Sequence, residues 1–290
     1  MASKILYLRK MSGLAGRSND ILYLSPLILS RIQRLLIFFG GDVQDLEEAM
    51  KVHNDSKKYL RWSLESTMQL LAARFPRNHV IVIRPSRMED MNYGVFACYD
   101  NFVPGNKYGV PTFSSSLDAL KHLEKLLLSV STYLASQDTS QGIYPHDIER
   151  AELVLMGFSK GCVVLNQILH EFHTLHTQQI VDKNLKEFVE RIKDMAWLDG
   201  GHCGKKDTWI TNKSILESFS KLKINVHVHV TPQQVRDEHR PWIRKEEESF
   251  CNILQRLGVL VEHSLHYEND QRSLEMHFDV LAAIKEEHDS

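Results

Sequence analysis

Short apolar runs recur along this chain, and each one ends at glycine, proline or polar residues. Runs of this kind are typical of strands that a sheet buries on both faces. The pattern predicts strands at residues 35–39, 80–83, 153–156, 195–198, 224–230 and 259–267. In the fifth run, valines alternate with Asn225, His227 and His229, which predicts one wetter face and a position towards the edge of the sheet.

Between these runs, apolar residues recur every three or four positions, which is the spacing of an amphipathic helix. Helices are predicted around residues 46–50, 64–75, 117–127, 160–172, 185–192, 215–222, 242–257 and from 274 onward. Ser63, Asp182 and Ser214 are predicted to cap three of them. Because strands and helices alternate, the sequence predicts an α/β fold with a mostly parallel central sheet covered by helices on both faces.

Two segments fall outside this alternation. Residues 86–116 are rich in aromatic side chains and turn residues, which predicts a long loop that either serves binding or is pinned to the body by its rings. Residues 1–33 are basic and apolar, with no acid before Asp20, which is typical of a targeting segment or simply of a basic tail. The remaining residues, 34–290, are predicted to form a single domain.

A candidate nucleophile lies between the third predicted strand and the helix that follows it. The pentapeptide Gly157-Phe158-Ser159-Lys160-Gly161 matches G-x-S-x-G, and a strand, a sharp turn and a helix are the context in which that motif carries chemistry. Ser159 is therefore the predicted nucleophile, with a serine in an ordinary turn as the alternative.

Such a serine needs a histidine to take its proton and a carboxylate to orient that histidine. Asp237, a few residues after the strand that ends near Val230, is the first choice for the acid, and Asp199 is the second. Either carboxylate could instead cap a helix or form a surface ion pair. His277, after the last strand, is the predicted base.

An oxyanion hole needs two backbone donors near the nucleophile. The N–H groups of Lys160 and Gly41 are the predicted donors, because one follows the serine and the other follows an early strand.

Composition narrows the class of protein. The formal net charge of −2 and the scattered basic residues give no reason to expect a nucleic-acid partner. The four cysteines have no C-x-x-C spacing, which favours a reducing compartment over a disulfide framework. The fifteen histidines include no H-E-x-x-H pattern, so neither a metal site nor a cofactor is predicted. No apolar run reaches the length of a membrane span.

Several motifs together resemble a family of mitochondrial α/β-hydrolase-like proteins whose human member carries a chromosome-2 open-reading-frame name. They are residues 41–44 (GDVQ), 62–65 (WSLE), 86–88 (SRM), 98–103 (CYDNFV), 157–167 (GFSKGCVVLNQ), 197–202 (WLDGGH) and 235–237 (VRD). The resemblance runs from about residue 35 to 278. It implies an α/β-hydrolase fold, a mitochondrial address, most simply the matrix, and a serine hydrolase chemistry centred on Ser159.

The sequence therefore predicts a serine hydrolase that transfers the acyl group of an ester, thioester or amide, with a small-molecule substrate. The alternative is a catalytically silent α/β-hydrolase scaffold that binds and supports a mitochondrial protein partner. A small-molecule carrier that uses the same pocket is a third hypothesis. The mitochondrion is the predicted location, and the cytoplasm is the alternative.

Overall fold

The computed structural model describes residues 4–31, 33–91, 94–137 and 145–284. The strands are β1 (Leu6–Ser12), β2 (Ser18–Leu24), β3 (Arg34–Phe39), β4 (Asn78–Ile83), β5 (Arg87–Met91), β6 (Gly94–Cys98), β7 (Glu152–Phe158), β8 (Ile192–Leu198), β9 (Asn225–Val230) and β10 (Val261–Leu265). The helices are α1 (Glu47–Val52), α2 (Leu64–Arg74), α3 (Asp118–Ser136), α4 (Pro145–Arg150), α5 (Cys162–Thr177), α6 (Lys183–Glu190), α7 (Lys213–Phe219), α8 (Pro232–Val235), α9 (Trp242–Arg256) and α10 (Leu274–Ala283).

Eight strands form the central sheet in the order β1-β2-β4-β3-β7-β8-β9-β10. The six strands from β4 to β10 in this order pair in parallel, whereas β1 and β2 pair antiparallel with each other and β2 pairs antiparallel with β4. The predicted fold class, an α/β-hydrolase-like architecture with a mostly parallel sheet, is confirmed. Strand β9 lies next to the edge strand β10, so its predicted position towards the edge is confirmed as well.

The continuous apolar runs reflect burial on both faces of the sheet. In β3, Leu35 and Ile37 belong to the core beneath α3, α5, α7 and α9, whereas Leu36 and Phe38 belong to the core beneath α2 and α10. Alternate side chains of a strand point to opposite faces, so a strand covered on both sides must be apolar at every position. Among the described residues, no helix combines the length and the apolar composition that crossing a bilayer requires.

The N-terminal segment is part of the sheet from residue 6 onward. Strands β1 and β2 bury Leu8, Ile21 and Tyr23, and the hydroxyl of Tyr23 lies 2.8 Å from Nδ1 of His79 on β4. The sequence pattern predicts a domain that begins at residue 34, and that boundary does not match the fold, because β1 and β2 belong to the central sheet. The strands were missed because basic residues interrupt the apolar pattern of β1.

The stretch 86–116 is not a loop throughout, because β5 and β6 pair as an antiparallel hairpin. Its aromatic residues pin it to the body. Tyr99 donates a hydrogen bond from its hydroxyl to the carbonyl of Gly40 (2.9 Å), and the rings of Tyr99 and Phe102 pack edge-on against Phe39. The stretch therefore lies close to the carboxyl end of β3.

The predicted helix caps are correct in two cases and wrong in one. The side chain of Ser63 accepts a hydrogen bond from the N–H of Ser66, and Asp182 caps α6 in the same way. Helix α7 is capped by Asn212, whose side chain accepts from the N–H groups of Ser214 and Ile215. Ser214, the predicted cap, lies inside the helix because Asn212 offers an equally good acceptor two residues earlier.

Candidate active site

Ser159 lies at a tight turn between the buried strand β7 and helix α5. Its backbone has φ +51°, a left-handed conformation that is rare for a residue with a side chain and costs energy that the surrounding structure must offset. The residue is 7% exposed. This is the strained strand-to-helix turn that the G-x-S-x-G pattern predicts.

The two glycines of the motif are explained by close packing around the turn. A Cβ atom on Gly161 would lie 2.0 Å from the carbonyl oxygen of Phe39, at the end of β3. A Cβ atom on Gly157 would lie 2.9 Å from the backbone nitrogen of Cys162. Only glycine allows the first turn of α5 to approach the neighbouring strand ends this closely.

A histidine from the end of the chain packs against this turn. The ring of His277, on α10, lies 4.7 Å from the ring of Phe158, the residue before Ser159. His277 is 6% exposed. Within the described part of the chain, no hydrogen bond joins Ser159 Oγ to another group. Serine–histidine hydrogen bonds are often long or absent before substrate binds. The position of His277 against the turn, without a hydrogen bond to Ser159, is therefore compatible with a nucleophile and its base.

Asp199, directly after β8, is the carboxylate that contacts His277. Nδ1 of His277 lies 2.6 Å from Oδ2 of Asp199. The same carboxylate accepts hydrogen bonds from the backbone N–H (2.8 Å) and the hydroxyl (2.6 Å) of Thr231, at the end of β9. Asp199 is fully buried, so these three donors replace the water that its charge has lost.

Asp237, the first choice from the sequence, does not contact His277. Its carboxylate accepts hydrogen bonds from Nε of Arg240 (2.7 Å) and from the N–H of His239 (3.0 Å). Partial burial opposes its ionisation, but the Arg240 guanidinium and these hydrogen bonds hold the pKa of Asp237 below its ordinary value. As the partner of His277, Asp237 is therefore replaced by Asp199, the second choice.

The backbone of Asp199 is also strained, and its loop is hydrogen-bonded to the elbow, the turn between β7 and α5 that carries Ser159. Asp199 has φ +47°, and the N–H of Gly201, two residues later, donates to the carbonyl oxygen of Ser159 (3.2 Å). The loop after β8 thus holds both the carboxylate and the backbone of the serine. Asp199 and Ser159 keep their relative positions because β7 and β8 are neighbours in the sheet.

The loop after β3 lies directly against Ser159. A Cβ atom on Gly41 would lie 2.8 Å from Cβ of Ser159, so the glycine makes room for the elbow. The N–H of Gly41 donates to Oε1 of the buried Gln44 (2.8 Å), and the N–H of Val43 donates to the carbonyl of Val95 (3.0 Å). Gly41 therefore does not offer the free N–H that the sequence analysis assigned to it.

Lys160, the residue after the serine, was predicted to contribute its backbone N–H, and its side chain is fully buried as well. Its ammonium group donates to the carbonyl of Tyr108 (2.8 Å), lies 3.6 Å from Oδ1 of Asp42 and lies over the ring of Phe96. Desolvation raises the pKa of Asp42, although Lys160 and the N–H of Ala97 oppose that rise. These contacts attach the stretch 86–116 to the elbow.

The sequence offered one signal for this role, namely a lysine between the apolar strand β7 and the apolar start of α5. Its partners could not be identified because Tyr108 and Asp42 come from segments far from Lys160 in the chain.

Comparison with known proteins identifies relatives over most of the chain. A family model described as C2orf69 matches residues 7–150 and 136–260. The human protein named Mitochondrial protein C2orf69 is 36% identical in an alignment that covers 86% of this chain and 73% of the human protein. The mouse homologue is also 36% identical, over 91% of this chain and 82% of its own length.

Solved structures align with this chain at much lower sequence identity. The esterase Est22 aligns with a TM-score of 0.49 and 13% identity over 97% of this chain and 78% of its own. A dienelactone hydrolase from Anabaena variabilis aligns with a TM-score of 0.45 and 8% identity over 98% of this chain and 95% of its own. An acylaminoacyl peptidase from Pyrococcus horikoshii aligns with a TM-score of 0.48 and 12% identity over 92% of this chain, which spans 38% of the peptidase.

Proposed function

This chain belongs to the C2orf69 family, and we propose that it is a serine hydrolase in which Ser159, His277 and Asp199 form the catalytic triad. The observation that carries the proposal is the 2.6 Å contact between His277 Nδ1 and the buried Asp199 carboxylate, beside a serine held at φ +51°. A strained serine, an oriented imidazole and a buried acid are the three parts that acyl transfer by a serine nucleophile requires.

In the proposed reaction, His277 moves the proton between Ser159 and the leaving group. The Asp199 carboxylate accepts a hydrogen bond from the Nδ1–H of His277, which fixes the tautomer with a lone pair on Nε2. His277 takes the hydroxyl proton as Ser159 Oγ bonds to the acyl carbon, and it then gives that proton to the departing alcohol, thiol or amine. Water repeats the sequence on the acyl-enzyme, so the carboxylic acid leaves and Ser159 regains its proton.

Two backbone N–H groups complete the proposed mechanism. The N–H of Lys160 follows the nucleophile and lies in the first turn before α5, where the helix N-terminus favours negative charge. We assign the second donor to Asp42, because the N–H groups of its neighbours Gly41 and Val43 are already bonded. The proposed substrate class is an ester, thioester or amide.

Labelling with a fluorophosphonate, a probe that phosphonylates activated serines, tests this proposal. We expect the wild-type protein to be labelled and Ser159→Ala to remain unlabelled, because the probe needs the hydroxyl oxygen. His277→Gln should also remain unlabelled while keeping the wild-type circular dichroism spectrum. Labelling of a folded Ser159→Ala protein at the wild-type rate would overturn the assignment of the nucleophile.

A mitochondrial location is part of the proposal, and we assign it to the matrix. The relatives are named mitochondrial proteins, and the four cysteines of this chain are all free thiols, which suits a reducing compartment. Protease protection in isolated mitochondria, with and without rupture of each membrane, distinguishes the matrix from the intermembrane space. Accessibility to protease after rupture of the outer membrane alone would contradict the matrix assignment.

One observation favours the second candidate function, a catalytically silent scaffold for a protein partner. Ser159 and His277 are both almost fully buried, and the stretch 86–116 is anchored over the turn by Lys160. If the protein is a scaffold, the folded wild type should resist the probe, and Ser159→Ala should restore the function of cells that lack the protein. If it is a hydrolase, Ser159→Ala should not restore that function.

A further inference from the structure

A second cluster of chemically reactive side chains lies where α9 packs against the edge strand β10. Glu247 and Cys251 are one turn apart on α9, and His263 lies on β10. Oε1 of Glu247 is 3.2 Å from Sγ of Cys251 and 2.9 Å from Nε2 of His263. One donor atom from each residue lies within 4.8 Å of the other two. None of these residues belongs to the proposed triad.

We propose that Glu247, Cys251 and His263 bind a divalent cation of the zinc class. A thiolate, an imidazole nitrogen and a carboxylate oxygen are the three ligand types that proteins use for Zn²⁺, and a thiolate disfavours Mg²⁺ and Ca²⁺. No metal site is predicted from the sequence, because these three residues do not form a recognised metal-binding motif. Here the third ligand comes from the neighbouring strand, twelve positions after Cys251.

The distances are close to those that a metal needs. Zinc bonds of about 2.3 Å to sulfur and about 2.0–2.2 Å to nitrogen and oxygen place tetrahedral ligand atoms about 3.4–3.6 Å apart. The present separations from Glu247 Oε1 are 3.2 Å to the sulfur and 2.9 Å to the nitrogen. A bound ion therefore requires these two pairs to move apart by about 0.3–0.5 Å, which side-chain rotation supplies, and the sulfur and the imidazole nitrogen already lie within 4.8 Å of each other.

The surroundings leave one coordination position open. Glu247 and Cys251 are buried, while the side chain of His263 is 37% exposed. All three line a cavity of about 340 Å³, whose wall also includes Asn252 and Gln255. A metal held by three protein ligands beside a cavity carries water or an added ligand in its fourth position, unlike a closed structural site.

Metal binding at this cluster exchanges protons for the ion. In the metal-free protein, burial and the nearby Glu247 charge raise the pKa of the Cys251 thiol, so the sulfur keeps its proton. The hydrogen bond from His263 to Glu247 raises the pKa of the imidazole. Binding of M²⁺ forms the metal–sulfur bond and releases the thiol proton to solvent, together with the second imidazole proton when it is present. No electron is transferred.

Titration of the full chain with Co²⁺, after chelator treatment and dialysis, tests the proposal. Co²⁺ occupies zinc sites and gives a thiolate-to-cobalt absorption band when sulfur is a ligand. We expect one equivalent to bind with that band, and Zn²⁺ to displace it. Cys251→Ser should remove the band, and His263→Asn should weaken binding about 100-fold or more, because removal of a direct ligand costs at least as much as removal of an outer-shell partner.

The exposed Cys203 is the matched control for adventitious binding through a thiol. Cys203→Ser should keep both the band and the stoichiometry. Loss of the band in Cys203→Ser, or no binding of Co²⁺ or Zn²⁺ by the wild type, would overturn the proposal and leave a hydrogen-bonded cluster. Because His263 lies on an edge strand and is partly exposed, its variant tests the site even if Cys251→Ser fails to fold. Neither variant touches the proposed triad, so the result is independent of the hydrolase assignment.

Discussion

His277 Nδ1 lies 2.6 Å from Asp199 Oδ2, although 78 residues separate the two in the chain. The contact depends on the sheet order, because β8 places Asp199 at the carboxyl end of the sheet and α10 returns across β7 to the same place. Thr231 completes the arrangement by donating two hydrogen bonds to the carboxylate. This relationship decides which acid is expected to control the reactivity of Ser159.

Substitution of each candidate acid in turn should show which of the two supports the reactivity of Ser159. We expect Asp199→Asn to slow fluorophosphonate labelling of Ser159 by about 10³- to 10⁴-fold, because the amide no longer favours the tautomer with the proton on Nδ1. Asp237→Asn should label at a rate close to wild type, since its carboxylate contacts Arg240 and not His277. Labelling kinetics for the three proteins measure this difference. The opposite ranking of the two variants would refute the proposed triad.

Loss of the Lys160 ammonium should loosen the stretch that covers the elbow. Lys160→Met keeps the backbone N–H but removes the donor to the Tyr108 carbonyl and the cation beside Asp42. We expect the free energy of unfolding to fall by about 1–3 kcal/mol, the cost of leaving a desolvated polar group unpaired. Urea denaturation measures the loss, and hydrogen exchange should become faster around Ala97 and Tyr108.

The exposed Lys205 is the control for that substitution. Lys205→Met should change neither the denaturation midpoint nor the exchange rates. If Lys160→Met matched it in both measurements, the buried ammonium would have no part in holding the stretch 86–116.

Buried His122 should make the protein less stable in acid. Burial lowers the pKa of His122 from 6.5 to about 4, and its Nδ1 accepts a hydrogen bond from the N–H of Leu14 (2.9 Å), which requires the neutral ring. Below pH 6.5 the unfolded chain binds a proton that the folded protein excludes, so stability falls as the pH drops towards 4. At about 1.36 kcal/mol per pH unit, this histidine contributes about 2–3 kcal/mol to the loss between pH 7 and 4.5.

His122→Gln should therefore reduce the loss of unfolding free energy between pH 7 and 4.5 by about 2–3 kcal/mol. Any pH-independent change in stability that the substitution causes does not affect this difference. Urea denaturation at pH 7, 5.5 and 4.5 provides the measurement. The exposed His239 is the control, and His239→Gln should parallel the wild type. Parallel curves for His122→Gln and wild type would show that His122 is not held neutral in the fold.

Removal of the first two strands should prevent folding. Deletion of residues 4–24 takes away β1 and β2, including the buried Leu8, Ile21 and Tyr23, and it exposes the long edge of β4. We expect the truncated chain to lack a cooperative thermal transition by circular dichroism. A point substitution of the exposed Leu29 to Ser should leave that transition in place. A folded, cooperative truncated protein would support residues 1–33 as a separable segment.

The sequence by itself determined the features that depend on residues close together in the chain. The apolar runs of β3, β4, β7 and β8 identified the central strands, because burial on both faces demands an unbroken run. The elbow at Ser159 was recognisable because the strand, the two glycines and the helix all lie within one short segment. Strands β1 and β2 escaped notice because charged residues on the exposed face of β1 weaken its pattern.

Only the tertiary structure decided which distant groups meet. Asp199 and Asp237 both follow strands, and nothing in the sequence near either residue indicates that Asp199 contacts α10 and Asp237 does not. The contacts of Lys160 with Tyr108 and of His263 with Glu247 likewise could not be predicted from the sequence. The physical reason is that sheet order and loop direction are set by the packing of the whole core, whereas hydrophobic periodicity reports only which face of each element is buried.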